Sequence, residues 1–245
     1  MHRFFVETSQ IVDNNIRIIG DDVKHIKNVL RMDNNDEIII CDGQGNDYYC
    51  IINGIEGNYI DTNIISKNET TTELKSKIYL FQGLPKQGKM ELIVQKAVEL
   101  GVYKIIPVIT ERSVVKINNQ NARKKLARWN KVAESAAKQS RRGIIPKVDS
   151  IINYEQALVY SKQLNTTIIP YENSKNIVET KELINNLSCK SIGVFIGPEG
   201  GFSLSEIENA KSNNANLITL GKRILRTETA GLTILSLLMF HLEEE

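Results

Sequence analysis

Three stretches of this chain hold residue types that could do chemistry. The first is Gly197-Pro198-Glu199-Gly200-Gly201, which follows the apolar, β-favouring run Ile192–Ile196. Just after it, Ser203 and Glu206 have the S-x-x-E spacing of a helix-capping box. Strand, glycine loop, helix is the arrangement by which α/β proteins bring backbone N–H groups up against a ligand. The same residues also suit a tight connection whose glycines only supply positive φ. Taken alone, the loop fits both readings.

The second stretch is Leu220–Ala230, L-G-K-R-I-L-R-T-E-T-A, between the strand-like run Leu217–Leu220 and the helical pattern Thr229–Leu242. Its charged residues surround Ile224 and Leu225. Apolar side chains in a loop need a partner, either a flat apolar ligand such as an adenine or the core beneath.

The third, Gly83–Met90 (G-L-P-K-Q-G-K-M), follows a strand, opens a helix and matches the P-loop pattern up to its last position. That position needs a hydroxyl for magnesium, and Met90 has a thioether, a soft and poor ligand for a hard cation. Pro85 also removes one N–H from the cradle. The pattern therefore does not describe a nucleotide hydrolase, and Lys86 and Lys89 are left as candidates for nucleic-acid phosphate.

Charge points the same way. Between Arg112 and Lys147 there are eleven Lys/Arg and one acid, Glu134, a net of about +10 in a chain whose total is +2. Such a segment suits phosphate backbones or, equally, a solvated helix face. Its helix, Asn121–Ser140, turns Leu126, Trp129, Val132, Ala133, Ala136 and Ala137 to one side. Arg123, Lys124, Arg128, Lys131 and Lys138 project from the rest.

The elements that must position these residues fall into two groups. Arg3–Val6, Ile16–Ile19, Glu37–Asp42, Asp47–Ile52 and Tyr59–Ile65 are short β-favouring runs between Asn, Asp and Gly turn signals. One helix interrupts them, with Val23, Ile26 and Leu30 as its apolar stripe. This predicts a small β-barrel over residues 1–67, followed by a polar linker, Ser66–Glu73. From Ile78 onward, apolar strands at Ile78–Gln82, Ile105–Ile109, Thr166–Ile169, Ile192–Ile196 and Leu217–Leu220 alternate with helical patterns. That alternation predicts an α/β domain over residues 74–245, with a parallel sheet covered on both faces.

Composition excludes several classes. No apolar run is long enough to span a bilayer, and the start lacks the apolar core of a signal peptide. Three scattered cysteines and three scattered histidines lack the spacing of a zinc site and point to a reducing, cytoplasmic setting.

The paired motifs G-P-E-G-G-F-S (Gly197–Ser203) and L-G-K-R-I-L-R-T-E-T-A (Leu220–Ala230) resemble those of the 16S ribosomal RNA uridine-N3 methyltransferase family. That family belongs to the SPOUT class of S-adenosylmethionine-dependent enzymes. The resemblance spans nearly the whole chain: His25–Asp42 is similar to the family's PUA-like RNA-binding barrel. Gly83–Gly101, Thr110–Lys116 and Arg128–Pro146 are similar to its catalytic domain. There are departures. Asn35 stands where a glycine is usual, Gln87–Lys89 replaces a glycine-acid-basic triplet, and Arg141-Arg142-Gly143 replaces a run with glycine ahead of the arginine.

The resemblance implies a C-terminal trefoil knot, a homodimer and a small-ribosomal-subunit substrate. It implies that Gly197, Pro198, Gly200, Leu220, Gly221, Ile224, Leu225 and Ala230 line the pocket for S-adenosylmethionine, with Tyr171 on a third loop. Methyl transfer is an in-line displacement governed by alignment, and a cation would stabilise the uridine anion left when the N3 proton departs. Arg226 is the candidate for that role, with Glu199 as a base or as a tie between loops, and Glu228 in the same position. Arg3, Arg31, Lys86, Arg112, Lys138, Arg141 and Arg142 are the expected RNA contacts. Two other readings stay open: a SPOUT enzyme acting on another position such as a ribose 2′-OH, and an inactive ribosome-binding relative.

Overall fold

The computed structural model describes residues 1–86, 88–113, 119–174 and 176–243, with the side chains of 119 and 120 left aside. Gln87 of the Gln87–Lys89 triplet and Val114, Val115 and Lys116 of Thr110–Lys116 lie outside the described residues. The chain divides into two compact units, Met1–Glu73 with Ala137–Ile145, and Leu74–Ala136 with Pro146–Glu245.

The first unit contains β1 (His2–Phe5), β2 (Ile11–Val12), β3 (Asn15–Ile19), the short α1 (Asp21–Lys24), β4 (Glu37–Cys41), β5 (Asn46–Ile55) and β6 (Tyr59–Glu69). Its six-stranded sheet runs β1-β4-β5-β6-β3-β2, antiparallel except for the β1–β4 pair. Period-two alternation fixes which face is buried: in β3, Ile16 and Ile18 point inward while Asn15, Arg17 and Ile19 face solvent. The expected helix is two pieces, α1 and a π-type turn at His25–Leu30, which together still bury Val23 and Ile26.

The Ser66–Glu73 linker is corrected. β6 runs on through Glu69, and Ser66, Lys67, Asn68 and Glu69 pair with Tyr49, Tyr48, Asp47 and Asn46 of β5. Their side chains are exposed, so no hydrophobic pattern marks a strand held by its backbone ladder. Glu73, a few residues further on, accepts hydrogen bonds from Arg142 and from the N–H groups of Gly143 and Ile144.

In the second unit β7 (Lys77–Gly83), α2 (Lys89–Glu99), β8 (Lys104–Ile109) and α3 (Asn119–Gln139, whose last three residues group with the first unit) come first. Next are β9 (Lys147–Val148), β10 (Ile152–Asn153), α4 (Tyr154–Ser161), β11 (Thr166–Pro170) and α5 (Ile177–Asn185). The unit ends with β12 (Ser191–Ile196), α6 (Leu204–Ser212), β13 (Asn216–Ile218) and α7 (Thr227–Leu242). The sheet order is β10-β8-β7-β12-β11-β13, with β9 also on β8, and every pair is parallel. Ile192 to Ile196 are all buried, as expected of a strand covered on both faces. Phe81 and Phe195 stack at 4.3 Å between neighbouring strands, within a core that also holds Tyr154, Phe202 and Ile207.

Candidate active site

Strands β7, β12, β11 and β13 are consecutive in the sheet, so the loops after their carboxyl ends are neighbours. In open parallel sheets that edge is where ligands bind. Here the loops enclose a cavity of about 370 Å³. Gly197, Pro198, Gly201 and Phe202 form one wall, Tyr171 and Glu172 a second, and Ile224 to Thr227 with Ala230 a third. An adjoining recess of about 90 Å³ is lined by Leu220 and Gly221 as well as Tyr171, Ile224 and Leu225.

The two motif loops thus meet, as expected from the sequence, with one exception. Gly200 does not line the cavity: a Cβ there would sit 3.1 Å from the Cβ of Arg112, and Gly201 lines the cavity instead. Glycine is needed at 197 for a related reason. A Cβ there would meet the Gly201 backbone at 3.1 Å, because the loop folds back on itself with Gly201 N–H donating to Pro198 O at 2.9 Å. The glycines make the turn tight, and the tight turn makes the wall. Ile224 is 89% exposed, so it is not a plug for the core beneath it.

Buried polar side chains tie the loops together. Gln82, near the end of β7, has no exposed surface; its Nε2 donates to Gly83 O and to Thr227 Oγ1, both at 2.9 Å. Thr227 Oγ1 donates in turn to Gly197 O at 2.6 Å. One amide and one hydroxyl therefore join β7, the glycine loop and the start of α7. Arg112 adds an outer tie, donating to Gly200 O at 2.9 Å. The capping box forms as its spacing predicts, and Glu206 also accepts the Glu111 N–H at 2.9 Å.

Charge is concentrated at Lys89, whose Nζ lies 3.2 Å from Glu199 and 3.1 Å from Glu228. Its ion pair with Glu228 raises the ammonium pKa against some desolvation, with Glu199 adding to the rise. Burial by itself would raise both carboxylates, but backbone hydrogen bonds and Lys89 outweigh it and hold each below its ordinary value. Glu199 also accepts the Lys86 N–H at 3.1 Å. A carboxylate held so firmly ionised is a poor proton acceptor, so of the two roles open to Glu199 the geometry favours the tie between loops. Arg226, the N-terminal flank of α7, is exposed beside the cavity and is in no ion pair among the described residues. Among the described residues no cluster of His, Cys, Asp and Glu could hold a metal.

The expected RNA contacts divide. Arg31, Lys86, Arg112 and Arg141 are exposed. Arg3 and Arg142 are not available in that sense: Arg3 pairs with Asp47 at 2.6 Å and Arg142 with Glu73 at 2.6 Å, both nearly buried. A guanidinium enclosed by its own carboxylate holds a fold together and has little left for phosphate. Lys138 leans on Asp22 at 3.3 Å. Arg141 has φ of +57°, the left-handed conformation expected of the glycine it replaces, and Asn35 likewise has φ of +75°. Sequence reasoning missed Gln82 and Thr227, and read Lys89 as a phosphate contact. The available signal was Gln82 itself, a polar residue at the end of the otherwise apolar run Ile78–Phe81.

Known proteins resemble this chain over nearly its whole length. The family described as RNA methyltransferase domain matches residues 72–239, and that described as RNA methyltransferase PUA domain matches residues 18–65. The chain is 35% identical to the ribosomal RNA small subunit methyltransferase E of Bacillus subtilis, covering 99% of this chain and 98% of that one. It is 36% identical to the protein of that name from Mesomycoplasma hyopneumoniae, over 96% and 98% of the two chains. The crystal structure of the Neisseria gonorrhoeae ribosomal RNA small subunit methyltransferase E, bound to S-adenosyl methionine, superposes with a TM-score of 0.82. Its identity is 33%, over 96% of this chain and 95% of that one.

Proposed function

We propose, because this chain belongs to the ribosomal RNA small subunit methyltransferase E family, that it methylates N3 of a uridine in 16S ribosomal RNA, using S-adenosylmethionine. The observation that carries the reading is the cavity between Gly197–Phe202 and Ile224–Ala230, with the uncommitted guanidinium of Arg226 beside it. Its volume is at the lower end of the range for small-molecule sites, and its lining is mixed in the way such sites require. Ile196, Phe202, Ile224 and Leu225 offer apolar surface, and Glu172 and Glu199 offer negative charge suited to a cationic donor.

S-adenosylmethionine supplies an electrophilic methyl group when bound. The chain's own residues do the rest. Gln82 and Thr227 fix the two walls, so the ligand's position is set before reaction. Arg226 stabilises the negative charge that develops on the uracil ring as the N3 proton passes to water. Arg31, Lys86, Arg112 and Arg141 hold phosphates of the RNA. The unit of residues 1–73 with 137–145 serves as an RNA-binding domain, and the unit of residues 74–136 with 146–245 as the methyltransferase domain.

Three further features belong to the same reading: a trefoil knot at the C-terminal end, a homodimer, and a cytoplasmic location. The homodimer is supported by α7, which leaves Leu237 and Phe240 exposed, the latter at 85%. No helix among the described residues is long and apolar enough to cross a membrane.

The test is to incubate the protein with labelled S-adenosylmethionine and undermethylated small ribosomal subunits, then digest the RNA to nucleosides. Label in N3-methyluridine is expected. Label in a 2′-O-methylated nucleoside, or none at all, overturns the assignment.

A further inference from the structure

The P-loop-like turn at Gly83–Met90 fails as a nucleotide-hydrolysis motif, yet it borders a second cavity, larger than the first, at about 540 Å³. Lys86 reaches it from the turn, and Lys124, Lys125 and Arg128 reach it from α3, over the buried ring of Trp129. The one carboxylate in the lining, Glu91, is 3.0 Å from Arg128 and so is matched by it. Lys86, Lys124 and Lys125 are in no ion pair among the described residues. Three lysines in no ion pair among the described residues therefore line one concave space.

Like charges do not gather in a concavity without cost, and an anion is the partner that relieves it. The shape of the site narrows the choice of anion. Trp129 is too deeply buried to stack on a base, and the turn offers no hydroxyl to hold magnesium, so a metal-bound nucleotide has no anchor here. A phosphodiester needs only the cations.

Its source is suggested by the wall between the two cavities. Lys86 lines this cavity, and its backbone N–H is held by Glu199, which lines the other. The turn is thus shared, and whatever binds on one side is registered against the other. We propose that this cavity seats a backbone phosphate of the substrate RNA, flanking the nucleoside presented to the methyl-donor cavity. The proposal rests on the methyltransferase reading for the identity of its ligand, and on the cavity's charge for the existence of the seat.

The test uses the full-length protein with Lys124→Gln and Lys125→Gln combined, and a charge-matched control, Arg123→Gln with Lys131→Gln, on the same helix outside the cavity. Binding of undermethylated 16S ribosomal RNA is measured across salt concentrations, S-adenosylmethionine binding by calorimetry, and inorganic phosphate as a competitor. The cavity variant should weaken RNA binding on the order of tenfold and reduce the salt slope by about one to two, with cofactor affinity unchanged. The control should do clearly less.

Equal losses in the two variants would mean a diffuse field and overturn the seat. So would unchanged RNA affinity, or loss of inorganic phosphate binding with RNA binding intact. If wild-type protein binds no S-adenosylmethionine while the cavity variant still loses RNA, the methyltransferase reading fails and the phosphate seat stands. If wild type methylates normally and the variant shows no RNA defect, the seat fails and the methyltransferase reading stands.

Discussion

Thr227→Val removes the hydroxyl that joins the two walls of the cavity between the glycine loop and the start of α7 while keeping the side chain's shape. Two hydrogen bonds are lost, Gln82 Nε2 to Thr227 Oγ1 at 2.9 Å and Thr227 Oγ1 to Gly197 O at 2.6 Å. The first leaves a donor stranded on a wholly buried amide, at about 1–3 kcal/mol. The second is part-buried and contributes about 0.5–1.5 kcal/mol, because the freed carbonyl can find water. Together they amount to about 1.5–4.5 kcal/mol if the loops stay in place. If the loops separate instead, the same free energy must be supplied on ligand binding, and cofactor affinity drops by about 30-fold for each 2 kcal/mol. Calorimetric titration with S-adenosylmethionine, paired with thermal unfolding of the free protein, reads both channels. Affinity within about twofold of wild type and an unshifted melting temperature would show that this buried chain does not hold the site. Thr227→Ser, which restores the hydroxyl, should recover most of the loss.

Arg226→Gln should lower kcat by about 10²- to 10³-fold with little change in cofactor affinity; a normal kcat would remove Arg226 from the reaction. Glu199 and Glu228 are held below their ordinary value, so their contribution is present above it and fades as pH falls through the lowered values, under about 4.5. Lys89 is raised, so its contribution persists up to about 10.5 and fades only as pH rises beyond that. Cofactor affinity should therefore be level across neutral pH, and Lys89→Met should move the acid-side loss to higher pH; an unmoved acid limb would contradict the pairing. At Gly83 a Cβ would lie 2.7 Å from both N and Cδ of Pro198, neither of which is a flexible side-chain end. Gly83→Ala should cost about 1–3 kcal/mol of stability or the equivalent in cofactor affinity, and a neutral result would mean the glycine loop is not packed on β7.

Local grammar explains what the sequence could reveal. The strand-loop-helix at Ile192–Ser212 was legible because its signals are short-range: an apolar run, a glycine-proline cluster, and a capping box spanning four residues. Asn35 was legible in the same way, since few side chains besides Asn accept a left-handed turn. What could not be read were commitments made across the chain. Gln82 and Thr227 are 145 residues apart, and neither has a local reason to be polar and buried. The end of β6 is held by its ladder alone and carries no side-chain pattern. The basic segment is the clearest case. Counted along the sequence, it is a block of about ten positive charges in a chain whose remainder is acidic. Folding cancels part of that block within each unit, with Lys138 on Asp22 and Arg142 on Glu73 in one, and Arg128 on Glu91 in the other. The acidity of the remainder is thus partly the answer to the basic run and not a separate property. A phosphate should be sought where cations remain unanswered after that cancellation, at Lys86, Lys124 and Lys125, rather than where the sequence is densest in arginine.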